Sequence, residues 1–167
     1  MDGITNAQTT TNNHQQMIKI GSKIPEFELS DQNGTLFRVS SVLGKKNLII
    51  YFYPKDDTPG CTKEACSFQD NLVQFNDINA RVIGISGQSV KSHKNFAEKY
   101  GLTFTLLSDK GNKVRTLFGV PTNLFGLLPG RVTYVVNKRG MVVSIINSQT
   151  DISRHIQEAL KTLERIK

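Results

Sequence analysis

The chain has 167 residues, a formal net charge of +7 and an isoelectric point near 9.5. Its 38% hydrophobic and 21% charged residues are ordinary for a soluble globular protein, and its longest strongly apolar run, Leu48 to Tyr53, is strand-length, which excludes a helical membrane span. Lys and Arg occur as scattered singles and short pairs such as Lys45-Lys46 and Lys138-Arg139, interleaved with acids, so a solvated basic surface fits better than a nucleic-acid-binding arm or patch.

Residues 1–17 are rich in Thr, Asn and Gln and contain no Lys or Arg. They lack the basic start and apolar centre of a secretory signal and the Arg content of a transit peptide, and are expected to form a disordered tail. Residues 18–167 are expected to form one domain. Two cysteines do not make an extracellular disulfide scaffold. A reducing compartment fits, the cytoplasm or, after removal of a transit peptide, the plastid.

Glu26–Leu29 and Leu36–Val39 alternate on either side of the turn residues Asp31-Gln32-Asn33-Gly34, which predicts a β-hairpin. Leu48–Tyr53 reads as a strand buried on both faces. Beyond Pro54–Gly60, a stripe of Ala65, Phe68, Leu72, Phe75 and Ile78 predicts a helix. Arg81–Ser86 is the next strand, Ser89–Tyr100 a helix stopped by Gly101, Thr103–Leu107 a strand, and Asn112–Phe118 a short helix. Gly119–Gly130 is an apolar loop. Val132–Val136 and Met141–Ile146 form a second hairpin about Asn137–Gly140, and Asp151 caps a last helix bearing Ile152, Ile156, Ala159, Leu160 and Leu163 on one face. The order implies an α/β domain of thioredoxin-like fold, a central mixed sheet flanked by helices with an added N-terminal β-hairpin.

The segment Pro54-Lys55-Asp56-Asp57-Thr58-Pro59-Gly60-Cys61 joins a buried strand to a helix and places Cys61 in or near its first turn. Unpaired N–H groups and the positive end of the helix dipole favour an anion there, and the thiolate is the reactive form of cysteine. Cysteine also packs well as a small apolar residue, but Pro, Gly, Thr and charges are not core neighbours. Cys66 lies five residues on. In an intact helix that spacing separates the Cα atoms by ~8.6 Å, beyond the ~7 Å a disulfide tolerates. A redox switch in which the first helical turns unwind fits better than a static bridge. Metal binding is disfavoured, because none of the three histidines, His14, His93 and His155, stands at ligand spacing from the pair.

The pattern Pro54-x-x-x-Thr58-x-x-Cys61 resembles the active-site motif of peroxiredoxins, and Thr58-Pro59-Gly60-Cys61-Thr62 followed by Cys66 is similar to their Q, or bacterioferritin-comigratory, branch. Val82–Ser86, Ser92-His93, Leu106–Asp109, and Asn123–Arg131 followed by Thr133–Val135 extend the resemblance, and the loop is similar to that of plant and cyanobacterial members. It covers roughly Ile18 to Leu163.

The resemblance implies a monomeric peroxidase that reduces hydrogen peroxide and organic hydroperoxides without metal, haem or flavin. Cys61 would be the peroxidatic nucleophile, oxidised to a sulfenic acid. Cys66 would resolve it as an intramolecular disulfide, which thioredoxin or a similar dithiol would reduce. Thr58 would hydrogen-bond the thiolate and the peroxide; by itself it is a helix N-cap. Pro54 would shield the sulfur; by itself it ends a strand. Arg131 would stabilise thiolate and leaving oxygen; by itself it is a solvated charge. Phe125, Leu127 and Leu128 are read as an apolar collar, a reductant-docking surface or a local cluster, and His93 and Asp109 as cap or surface polar residues. A redox sensor or partner-binding module using the same disulfide is the alternative; slow oxidation unaffected by Arg131→Ala would mark it.

Overall fold

The computed structural model describes residues 17–123 and 128–167. The expectations for residues 1–16 of the tail, for Phe125 and Leu127, and for the Leu128 side chain lie outside the described residues. A seven-stranded sheet forms the centre, its strands lying side by side in the order Leu36–Arg38, Glu28–Asp31, Thr105–Ser108, Ala80–Ser86, Asn47–Phe52, Val132–Val136 and Val142–Asn147. Its middle is β3 (Asn47–Phe52), β4 (Ala80–Ser86) and β5 (Thr105–Ser108), which are mutually parallel. The hairpin of β1 (Glu28–Asp31) and β2 (Leu36–Arg38) adds antiparallel to β5, and β8 (Val132–Val136) with β9 (Val142–Asn147) adds antiparallel to β3. A small antiparallel pair, β6 (Thr122–Asn123) and β7 (Leu128–Pro129), lies within the stretch expected to be loop.

Every residue of β3 is buried, as its unbroken apolar run requires. Successive side chains therefore feed two cores. Ile49, Tyr51 and Tyr53 meet Ala65 and Phe68 of α1 (Pro59–Asp70), Phe75 of α2 (Leu72–Asp77), Phe96 of α3 (Val90–Tyr100) and Ile156 of α5 (Ile152–Arg165). Leu48, Ile50 and Phe52 meet Phe27, Phe37 and the short α4 (Lys113–Phe118), through Val114 and Phe118. Phe68 stacks on Tyr51 at 4.5 Å between centroids, a contact worth about 0.5–1.5 kcal/mol beyond simple burial.

The single helix expected over the stripe from Ala65 to Ile78 is two helices. Asn71 leaves helical geometry, at φ −102° and ψ 9°, and its Nδ2 donates to the Ser67 carbonyl at 2.8 Å. Such a side chain competes with the backbone for the helical acceptor. The apolar stripe survives the break because α2 starts at the next residue.

Candidate active site

α1 begins where β3 ends, so the segment from Tyr53 to Cys61 crosses the carboxyl edge of the parallel strands. Thr58 occupies the N-cap position and Pro59 the first helical turn, where its missing N–H costs nothing. The Thr58 hydroxyl makes no capping bond; it donates instead to the Lys55 carbonyl at 2.9 Å. The amides at the start of α1 are therefore free of a side-chain cap, and Cys61 stands among them, 1% exposed. Pro54 is half-buried just past the end of β3.

Arg131 enters from the start of β8. It is 4% exposed, not solvated, and its Nη2 donates to Cys61 Sγ at 3.4 Å while Nη1 donates to Glu64 Oε1 at 3.0 Å. Gly60 makes room for this approach, since a Cβ there would lie 3.0 Å from Nη2. Gly130 has its own constraint: a Cβ would run into the Pro121 carbonyl. Burial works against the Arg131 charge, but Glu64 and Cys61 outweigh it and hold the guanidinium above its usual range.

Glu64 sits one turn after Cys61 on the same helix face, fully buried. Burial lifts its carboxyl to about 7 against the pull of Arg131. Its Oε2 has no hydrogen-bond partner among the described residues and lies 3.7 Å from His155 Nδ1. His155 donates from Nε2 to the Ser148 carbonyl at 2.8 Å, so Nδ1 accepts from the Thr133 hydroxyl at 2.7 Å and offers Glu64 no proton. Burial depresses His155, consistent with the neutral ring.

A second buried network anchors the loop before Cys61. Asp56 accepts from the Tyr53 hydroxyl at 2.6 Å and the Ser92 hydroxyl at 2.8 Å, and its Oδ2 lies 2.7 Å from His93 Nδ1. His93 Nε2 donates to the Leu107 carbonyl at 3.0 Å. His93 is thus a buried strut and not a surface residue. Asp109 is buried too, and caps α4 by accepting from the amides of Val114 and Arg115.

Cys66 is half-buried five residues along α1 from Cys61, and both thiols are free. Burial, and then the charge of Asp70, push the Cys66 thiol up. Glu64, Asp56 and Arg115 were not singled out by sequence reasoning. The signals were there for two of them: Glu64 stands three after Cys61, and Arg115 three before Phe118 on the apolar face of α4.

The chain matches the AhpC/TSA family over residues 20–145. It is 53% identical to a chloroplastic peroxiredoxin Q of Sedum lineare over 88% of this chain and 78% of that one. It is 52% identical to a chloroplastic peroxiredoxin Q of Triticum aestivum over 87% and 67%. Among solved structures it resembles peroxidoxin BcpB of Mycobacterium tuberculosis, with 38% identity, TM-score 0.83 and coverage of 90% and 99%, and a mutant of Xylella fastidiosa PrxQ, with 31% identity, TM-score 0.82 and coverage of 90% and 98%.

Proposed function

The chain belongs to the AhpC/TSA family and is a peroxiredoxin-type peroxidase, and from that premise we propose how its residues divide the work. Cys61 is the peroxidatic nucleophile. Its thiolate attacks one oxygen of a hydroperoxide; the S–O bond forms, the O–O bond breaks, and the leaving oxygen takes a proton to depart as water or alcohol. The observation that carries this is the Arg131 Nη2 to Cys61 Sγ contact of 3.4 Å at a helix start without a side-chain cap. The negative charge of the thiolate, and its transfer onto the leaving oxygen, meet a fixed guanidinium and free amides there. Thr58 orients the peroxide with its hydroxyl, and Pro54 walls the sulfur from bulk water.

The Cys66 thiol then gives up its proton and its sulfur attacks the Cys61 sulfenic acid; the S–S bond forms, the S–O bond breaks, and the expelled hydroxide takes up a proton to leave as water. An intact α1 forbids this bond, so its first turns must open. A dithiol protein such as thioredoxin supplies the two electrons that restore both thiols. The partner cysteine is in the same chain, so a monomer completes the cycle, in a reducing compartment such as the cytoplasm or the plastid. The reach to organic hydroperoxides draws on the alkyl peroxide reduction named for the similar Xanthomonas campestris bacterioferritin comigratory protein.

Adding hydrogen peroxide to reduced protein is expected to consume both thiols and yield one intramolecular disulfide, read by thiol titration and peptide mapping. Full thioredoxin-dependent turnover by Cys61→Ser would overturn the reading.

A further inference from the structure

The β3–β8 pair ends at Phe52 opposite Val132. Continued in register it would set Tyr53 opposite Arg131 and Pro54 opposite Gly130, and Pro54 has no N–H to contribute. Arg115 of α4 enters at this point. Its Nη2 donates to the Tyr53 carbonyl and its Nη1 to the Gly130 carbonyl, each at 3.0 Å. These carbonyls immediately precede Pro54 and Arg131, the two sides of the peroxide site. Arg115 is 6% exposed and its guanidinium lies 5.6 Å over the Phe52 ring. Its helix is fixed in turn by Asp109, whose Oδ1 and Oδ2 hold the Val114 and Arg115 amides at 3.0 and 2.8 Å.

A planar fork holds two acceptors at a set spacing, which an ammonium cannot do. The Arg131 backbone is thereby held on both sides, by Arg115 on the preceding carbonyl and by Gln149 Oε1 on its own amide at 3.1 Å. We propose that Arg115 is a positioning residue for peroxide reduction, clamping the end of β3 to the start of β8 and so aligning Arg131 over the Cys61 sulfur. It touches neither sulfur nor peroxide and acts through Arg131 and Pro54. The inference rests on the peroxidase reading.

The test compares wild type, Arg115→Lys and Asp109→Asn. For each, the rate constants of Cys61 oxidation by hydrogen peroxide and of its alkylation by iodoacetamide are measured per folded molecule. Alkylation needs only the thiolate, whereas peroxide reduction needs Arg131 in place. Arg115→Lys, which keeps the charge but loses the fork, is expected to lose about ten- to a hundredfold in the peroxide rate while alkylation stays within about twofold. Asp109→Asn keeps the guanidinium but loosens its helix, and should lose a smaller factor with the same selectivity. Wild-type peroxide rates in both variants, or equal losses in peroxide reaction and alkylation, would overturn the proposal. Should Arg115→Lys fail to fold, the selectivity of Asp109→Asn decides alone. A wild type that reacts with peroxide no faster than with the alkylating agent would instead sink the peroxidase reading before any variant is compared.

Discussion

The two ends of α1 carry the same functional group in opposite settings. At the start, Cys61 is buried, faces the Arg131 guanidinium, and belongs to a turn whose neighbours are tied down by Asp56, His93 and Glu64. Toward the other end, Cys66 is half-exposed, its thiol pushed up by burial and by Asp70, and the helix around it is held by apolar packing of Ala65 and Phe68. Five residues of sequence thus separate a thiol set against a fixed guanidinium from one whose proton is held more tightly than usual. The difference teaches that environment, and not residue type, would assign the roles: on the proposed mechanism Cys66 does not compete for peroxide, and meets Cys61 only after the helix has opened.

The sharpest way to break this comparison is to remove each sulfur in turn. Cys61→Ser is expected to lower the peroxide rate by about a thousandfold or more although Cys66 remains, whereas Cys66→Ser keeps the first oxidation and loses recycling. Stopped-flow oxidation and a coupled turnover assay separate the two. Next in size is Arg131→Met, which strips the cation from Cys61 and leaves Glu64 without its partner. Loss of one charge-stabilising donor of this kind costs about a hundred- to a thousandfold, read as the rate constant for peroxide.

Phe68→Ala tests the other half of the helix. It should destabilise the fold by about 3–5 kcal/mol in denaturant unfolding, while the peroxide rate per folded molecule stays at the wild-type value. A smaller effect distinguishes the buried carboxyl beneath the site. Glu64 titrates at about 7 in the folded state and near 4.5 unfolded, so the folded chain holds the proton more tightly. Its contribution is fully present below the unfolded value and is lost as pH rises toward 7, so stability falls across that window by about one to a few kcal/mol. Glu64→Gln should flatten that slope, measured as denaturation midpoints at several pH values. The smallest effect belongs to Asp70→Asn, which removes a charge that holds the Cys66 thiol up. Alkylation of Cys66 near neutral pH should quicken by roughly twofold, with Cys61 unchanged.

Most of the fold was legible because it rests on patterns the chain writes locally. The all-apolar Leu48–Phe52, the helix start at Ser89, the Asp151 cap and the Gly101 stop each state an element or its end, and each stands where expected within a residue or two. The break at Asn71 was hidden because the apolar stripe runs straight through it. The residues that converge on Cys61 come from far along the chain. Arg131 and Arg115 are separated from it by 70 and 54 positions; nothing in the periodicity around Arg131 announces its burial, and for Arg115 only its place three before Phe118 hints at it. Arg131 was reached through the family motif, and Arg115 only through its two carbonyl partners. Asp109 caps α4, one of the two roles expected of it, whereas His93 is neither cap nor surface residue: its partners, Leu107 and Asp56, become neighbours only in the folded chain.

The interruption at Asn71 bears on how far a local rearrangement spreads. Helical cooperativity propagates along an unbroken ladder of i→i−4 bonds. A non-helical residue between α1 and α2 divides that ladder, and Phe75 on the far side is fully buried against the sheet. Amide exchange should therefore resolve two blocks, a labile one ending near Asp70 and a protected one beginning at α2. Asn71 would then serve as a firebreak, confining each opening of the redox helix to a dozen residues while the rest of the domain stays closed.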